Sequence, residues 1–526
     1  MRREGCGASG TRWFALAVVA VAVVIAGGGV SAQGVAPATR GDDVSRFAAL
    51  HGGAAWTTAD GQWTTAARLV LERLRAADTQ GLDPAAYGLP TADASPAARG
   101  AREAALTRAV LRYMHDLHLG RVDPRRLGLQ LAAWDEPHDF VVVLHDGLVR
   151  QQRDAALDAL APPFPVYRAL VDQLARYRAL ATPPWPPLPA IAASVKPGQA
   201  YAGLVPLRAR LRALGDLVGD RVGEGGAAVL DAGTSAALAR FQVRHGLTGD
   251  GVLGARTLAA LQVTPAARVT QITLALERLR WVPDLGARRV IAVNIPMFAL
   301  AAWEAGRLAG PPALTMDVIV GRAVRTQTPV FAATLERVIF RPYWNVPVSI
   351  VRDEVLPAVR RDPRYFERQQ MELVRGGGDD APVVPADAAG VAALARGDLR
   401  VRQRPGPHNA LGLVKLVFPN DDSVYMHGTP APALFARDRR DFSHGCIRVE
   451  DPAGLAAWVL GDQGWTRARA EAAMAQGNNV AVEASPVDVV LFYLTAAVDP
   501  ATGAMHFADD LYGHDARLAR ALAAQR

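Results

Sequence analysis

Residues 426–452 read MHGTPAPALFARDRRDFSHGCIRVEDP, in which His427 is followed by the run Ser443, His444, Gly445 and Cys446. Cys446 is one of two cysteines in 526 residues, and the other, Cys6, lies in an N-terminal leader. A disulfide within the chain beyond that leader is therefore excluded. A free thiol, with a pKa of about 8.5, is only a few per cent thiolate at neutral pH, and histidine is the usual neighbour that raises the fraction.

If residues 446–449 run as a strand, the period of two puts His444, Cys446 and Arg448 on one face. Nucleophile, imidazole and cation then share a surface. Gly445 lets the backbone approach a substrate carbonyl, and its amide with that of Cys446 makes an oxyanion hole. His427, delivered by a preceding strand, is the general base, and Tyr425 shares its face. Two other readings use the same residues. A buried hydrophobic cysteine among structural histidines is one, although two histidines, a glycine and this cysteine in one window favour catalysis. Zinc held by His427, His444 and Cys446 is the other, and it ranks lower because the Cys-x-x-Cys and His-Glu-x-x-His spacings are missing.

The pattern His427-Gly428-Thr429-Pro430, a spacer, then Ser443-His444-Gly445-Cys446-Ile447-Arg448 closely resembles the signature of the L,D-transpeptidase catalytic domain family. The resemblance implies that Cys446 attacks the carbonyl of the third residue of a tetrapeptide stem, releasing D-alanine. It further implies that the thioester is resolved by an amine of a second stem, giving a 3-3 cross-link in peptidoglycan biosynthesis. His427 takes the thiol proton and later assists the acceptor amine; Ser443 and His444 orient the loop. No cofactor or metal is implied, and carbapenem-type β-lactams should acylate Cys446. Arg448 stands where the family often has asparagine, and both substrate carboxylate recognition and a structural ion pair stay open. Tyr425, Trp344, Asn345 and Thr429 complete the expected substrate contacts. Two alternatives remain: an L,D-carboxypeptidase or endopeptidase using the same cysteine with water, and a non-catalytic cell-wall-binding protein, against which the His427/Cys446 pair argues.

The elements that must position this site follow in chain order. Residues 1–32 carry Arg2, Arg3 and Arg12, an apolar run and a small-x-small stretch ending Val30-Ser31-Ala32, the pattern of a signal peptide. Export to the periplasm or cell envelope is expected, with an uncleaved inner-membrane anchor as the alternative. A chain of 526 residues exceeds one hydrophobic core, and three domains are expected. The formal charge of +7 comes almost wholly from arginine, lysine occurring only at Lys196 and Lys415. No basic run with interleaved aromatics points to nucleic acid.

The whole reads as a multidomain α+β protein. Residues 42–181 read as a helical scaffold domain, with Leu106, Val110, Tyr113, Met114 and Leu117 at helical spacing. A proline-rich linker covers 182–200. Residues 201–265 read as three short helices, and Phe241-Gln242, His245-Gly246-Leu247, Asp250-Gly251, Gly254 and Thr257 resemble the peptidoglycan-binding module; a helical spacer that binds nothing is the alternative. From 286 to 480, alternating β-rich runs predict a β-sandwich-like catalytic domain. An insertion at about 349–407 is a candidate lid or a passive excursion. Residues 484–526 read as a C-terminal hairpin and tail.

Overall fold

The computed structural model describes residues 40–90, 98–131, 138–218, 229–324, 326–499 and 502–525. The signal or anchor segment 1–32 lies outside the described residues. The chain divides into two compact units. One comprises Ala287–Ala305 and Pro312–Phe492; the other comprises the described residues of Phe14–Gly286, Gly306–Pro311 and Tyr493–Arg526.

The second unit is helical. Arg40–His51, Thr65–Arg75, Arg99–His118 and Phe140–Val149 surround a core of Trp56, Val70, Leu74, Leu106, Val110, Met114 and Leu144. The expected run from Leu106 to Leu117 lies buried on Arg99–His118, as helical spacing requires. Three further helices, Leu204–Leu214, Ala232–Arg244 and Ala255–Gln262, close on Leu207, Leu211, Leu238, Phe241, Leu253 and Leu261. Gln242 is the polar hub of this module. Its amide nitrogen donates to Asp250 Oδ1 at 2.8 Å, the Val252 carbonyl at 2.9 Å and Thr257 Oγ1 at 3.1 Å, while its oxygen accepts from Gly251 N at 2.8 Å. The polar residues of the recognised motif thus hold its loop to its helices. Gly251 needs its φ of +66°, and a Cβ there would meet the Ser235 carbonyl at 2.7 Å.

The first unit carries fifteen-strand numbering from its start: β1 (Val290–Asn294), β2 (Ala299–Trp303), β3 (Leu314–Gly321), β4 (Phe331–Phe340), β5 (Trp344–Asn345), β6 (Met371–Val374), β7 (Val383–Val384), β8 (Arg400–Gln403), β9 (Val414–Val417), β10 (Met426–His427), β11 (Asp441–Ser443), β12 (Ile447–Val449) and β13 (Val480–Phe492). The last two, β14 (Ala496–Val498) and β15 (Met505–Phe507), form a hairpin in the helical unit. The main sheet runs β11-β3-β12-β10-β9-β4-β13-β1-β2, and β2 also pairs with β3, so the sheet closes on itself. This is the β-rich domain that the alternating runs predict.

Two limits read from sequence are corrected. The catalytic sheet does not end at 480, because β13 runs through Phe492 between β4 and β1. Pro486 interrupts the strand pattern in sequence, but the register shifts between Glu483 and Val487, and a bulge accommodates a residue that cannot donate to the ladder. The terminal hairpin therefore consists of β14 and β15 alone. The insertion begins before 349: β5, β8, β6 and β7 form a separate four-stranded sheet, packed with Val351, Val355, Val359, Phe366 and Leu394 into its own core. Its leading helical segment contains one π turn, Val351–Val355, a feature that recurs at functional sites.

Candidate active site

Three neighbouring strands gather the titratable groups. In the parallel pair β10–β12, His427 lies opposite Arg448; in the antiparallel pair β10–β9 it lies opposite Lys415. The Ile447 amide donates to the Tyr425 carbonyl at 3.1 Å, which extends the ladder back to bring Cys446 beside Tyr425. Since alternate residues share a face, one surface carries Lys415, Tyr425, His427, Cys446 and Arg448.

His427 is buried, at 4% exposure. Its Nδ1 lies 2.6 Å from the Gly428 carbonyl. A carbonyl only accepts, so Nδ1 carries the proton and Nε2 keeps its lone pair. Loss of solvent, reinforced by the Arg448 charge, holds the imidazole down to about 3, against the pull of the Gly428 and Leu411 carbonyls. His427 is therefore a neutral acceptor at physiological pH.

Cys446 is half-buried. Its Sγ donates to the Ser423 carbonyl at 3.9 Å, and Ser423 itself has a φ of +55°, a strained geometry for a side chain other than glycine. Asn420 fixes that turn by donating to the Phe418 and Val424 carbonyls at 2.6 and 2.7 Å. Burial pushes the thiol up; the Tyr425 amide and hydroxyl, Lys415 and Arg448 all oppose that shift. The Tyr425 hydroxyl is pushed well up, by burial first and then by the charge at Cys446.

The loop holding Cys446 is pinned by short hydrogen bonds. Ser443 Oγ donates to the Cys446 carbonyl at 2.5 Å and accepts from the Gly445 amide at 3.1 Å. Thr328 Oγ1 donates to the Gly445 carbonyl at 2.7 Å, and Thr326 Oγ1 to the Ser443 carbonyl at 3.1 Å. Gly445 takes a φ of +113°, which breaks the strand alternation just before Cys446.

That break corrects two expectations. His444 does not join the face of Cys446 and Arg448; its Nε2 meets Glu354 Oε1 of the insertion at 2.7 Å. The Gly445 amide is committed to Ser443, so the amide left without an acceptor among the described residues is that of Cys446 itself. Ser443 Oγ ties the Gly445 amide to the Cys446 carbonyl. The Thr429 hydroxyl accepts from the Ala431 amide at 3.2 Å and keeps its own proton to donate. Asn345 lies exposed on β5, paired in register with Arg402.

Arg448 is half-buried, and its Nε is buried without a hydrogen-bond partner. Burial, then the neighbouring Arg322 charge, lowers its guanidinium. It makes no ion pair among the described residues, which removes the structural ion-pair reading and leaves a cation facing the thiol. Sequence reasoning passed over Lys415, Glu354, Thr326 and Thr328. The two threonines lie on the segment between β3 and β4, and Lys415 and Glu354 depend on strand register and on the path of the insertion.

Three family models match the chain: an L,D-transpeptidase catalytic domain over residues 288–489, a scaffold domain over 46–174 and a putative peptidoglycan binding domain over 202–261. A putative L,D-transpeptidase of Haemophilus influenzae is 32% identical over 278 residues, 52% of this chain and 54% of the relative. The chain thus spans about half the length of the curated relative it matches. The crystal structure of an L,D-transpeptidase from Xylanimonas cellulosilytica is matched at 16% identity over 59% of this chain and 100% of that one, with a TM-score of 0.18.

Proposed function

We propose that this chain, whose residues 288–489 match an L,D-transpeptidase catalytic domain beside scaffold and peptidoglycan-binding matches, is a peptidoglycan L,D-transpeptidase of the cell envelope working through a cysteine thioester. The observation that carries this reading is the register of β10 with β12, which brings the neutral His427 onto one face with Cys446, the residue just before β12.

Cys446 Sγ attacks the carbonyl of the third stem residue as its proton passes to His427 Nε2. Negative charge gathers on the carbonyl oxygen, for which the free Cys446 amide is the donor at hand. The tetrahedral intermediate collapses as His427 returns the proton to the departing D-alanine nitrogen, leaving a thioester on Cys446. An amine of a second stem then attacks the thioester, His427 takes its proton, and the thiol leaves, regenerating the enzyme with a 3-3 cross-link. Arg448, with no internal counter-ion, recognises a substrate carboxylate. Tyr425 and Trp344 line the approach to the sulfur. The same chemistry makes Cys446 the point of acylation by carbapenem-type β-lactams. Export through the 1–32 segment places the domain where its polymer is.

The test is product analysis by mass spectrometry after incubation with a tetrapeptide stem and an amine-bearing second stem. Cross-linked dimer, absent with Cys446→Ala, is expected. Tripeptide alone, in equal yield with and without the acceptor, would replace the transferase by a hydrolase.

A further inference from the structure

Lys415 is one of two lysines in 526 residues and stands in the middle of the catalytic face. Lysine on a strand next to a buried histidine needs a reason, because its ammonium loses hydration there. Its Nζ lies 4.1 Å from the centroid of the Tyr425 ring, and the Tyr425 hydroxyl in turn responds to the charge at Cys446. No carboxylate forms an ion pair with Lys415 among the described residues; Asp379 acts on it only at longer range. The group that does respond to its charge is Cys446. A cation shielded from water and left without a carboxylate beside a nucleophile is placed to meet a charge that exists only when the nucleophile ionises.

We propose that Lys415 supplies the positive charge that offsets the negative charge on Cys446 Sγ, acting across the site and through the Tyr425 ring and hydroxyl. The proton leaves Sγ for His427 Nε2 and goes on to the leaving amine; Lys415 keeps its own proton throughout. An ammonium on the face of a phenol draws electron density from the ring and makes its O–H a better donor to sulfur. His427 alone cannot do this work, because desolvation and the neighbouring cations disfavour its imidazolium. Lys415 is therefore a positioning residue for charge rather than a group that touches substrate.

The other charged or titratable groups facing this centre are Tyr425 just before β10, His427 from β10, Arg448 from β12 and Arg322 from the segment after β3. Arg337 of β4 faces Lys415, and His444 is engaged by Glu354. Neutralising Lys415 leaves all of these in place.

The experiment uses the full chain as wild type, Lys415→Met and Lys415→Arg, each checked by a thermal melt. The rate of Cys446 alkylation by iodoacetamide is followed by intact mass between about pH 6 and pH 10, since only thiolate reacts. The Met variant should shift the profile to higher pH by about one unit, about tenfold slower alkylation at pH 7, and the Arg variant should restore most of the rate. If the Met variant does not fold, Lys415→Gln is read in its place. An unchanged profile in a folded neutral variant, or an Arg variant as impaired as the neutral one, overturns the proposal. It rests on Cys446 as nucleophile, yet alkylation needs no peptide, so its failure leaves the transpeptidase reading standing and failure of peptide acylation leaves the alkylation result intact.

Discussion

Both units withdraw basic side chains from solvent, but they treat the charges differently. In the helical unit, Arg280 is fully buried against Glu277 at 3.1 Å, with Tyr167 Oη as a further partner at 2.8 Å, and Arg244 is buried against both oxygens of Asp216. On the face that carries Cys446, Lys415 and Arg448 have no carboxylate partner among the described residues, and Asp379 acts on Lys415 only at longer range. A buried charge closed by an opposite charge is spent on the fold. One left open beside a nucleophile is available to chemistry.

The comparison breaks most visibly at His427. His427→Ala should lower acylation by the tetrapeptide stem by about a hundredfold to ten-thousandfold, measured by intact mass against time, because the general base is lost. Glu277→Ala should do the reverse: a loss of about 3–5 kcal/mol in urea unfolding, from leaving Arg280 buried without its counter-charge, with acylation by the folded fraction unchanged. If Glu277→Ala costs no stability, the closed pair is not what holds the helical unit.

Arg448→Gln breaks no ion pair and should leave the melting temperature nearly unchanged. It should raise KM for the donor peptide by roughly tenfold, the loss of one charge-assisted contact. A variant that instead loses stability would make Arg448 structural. Acidification sharpens the same contrast. The unfolded His427 takes a proton near its ordinary value of 6.5, whereas the folded one resists until about 3. Its contribution to stability is therefore complete above pH 6.5 and is lost as pH falls toward 3. His427→Gln should flatten that slope in acid-unfolding curves. The smallest effect belongs to Glu354→Gln, which weakens one partly exposed contact to His444 and should change acylation by roughly twofold to threefold.

Much of this was written in local sequence. His427, Ser443 and Cys446 are marked by type and spacing, the helical and β-rich regions by periodicity, and the motif around Gln242 by its glycines. What sequence could not supply is long-range register. Lys415 reads as an ordinary strand residue until β9 is laid beside β10. Likewise, the alternation that predicts His444 on the thiol's face fails at a single residue, because Gly445 turns the chain at φ +113°. The limit of β13 is a related case: a bulge that admits Pro486 is a property of the pair, not of the strand.

The most direct measurement is the intact mass of the full chain after incubation with a tetrapeptide stem, as wild type and as Cys446→Ala. The account predicts an adduct of the stem less D-alanine on the wild type, mapped to Cys446, and none on the variant. An adduct that persists in Cys446→Ala, or a folded wild type that is never acylated, contradicts it.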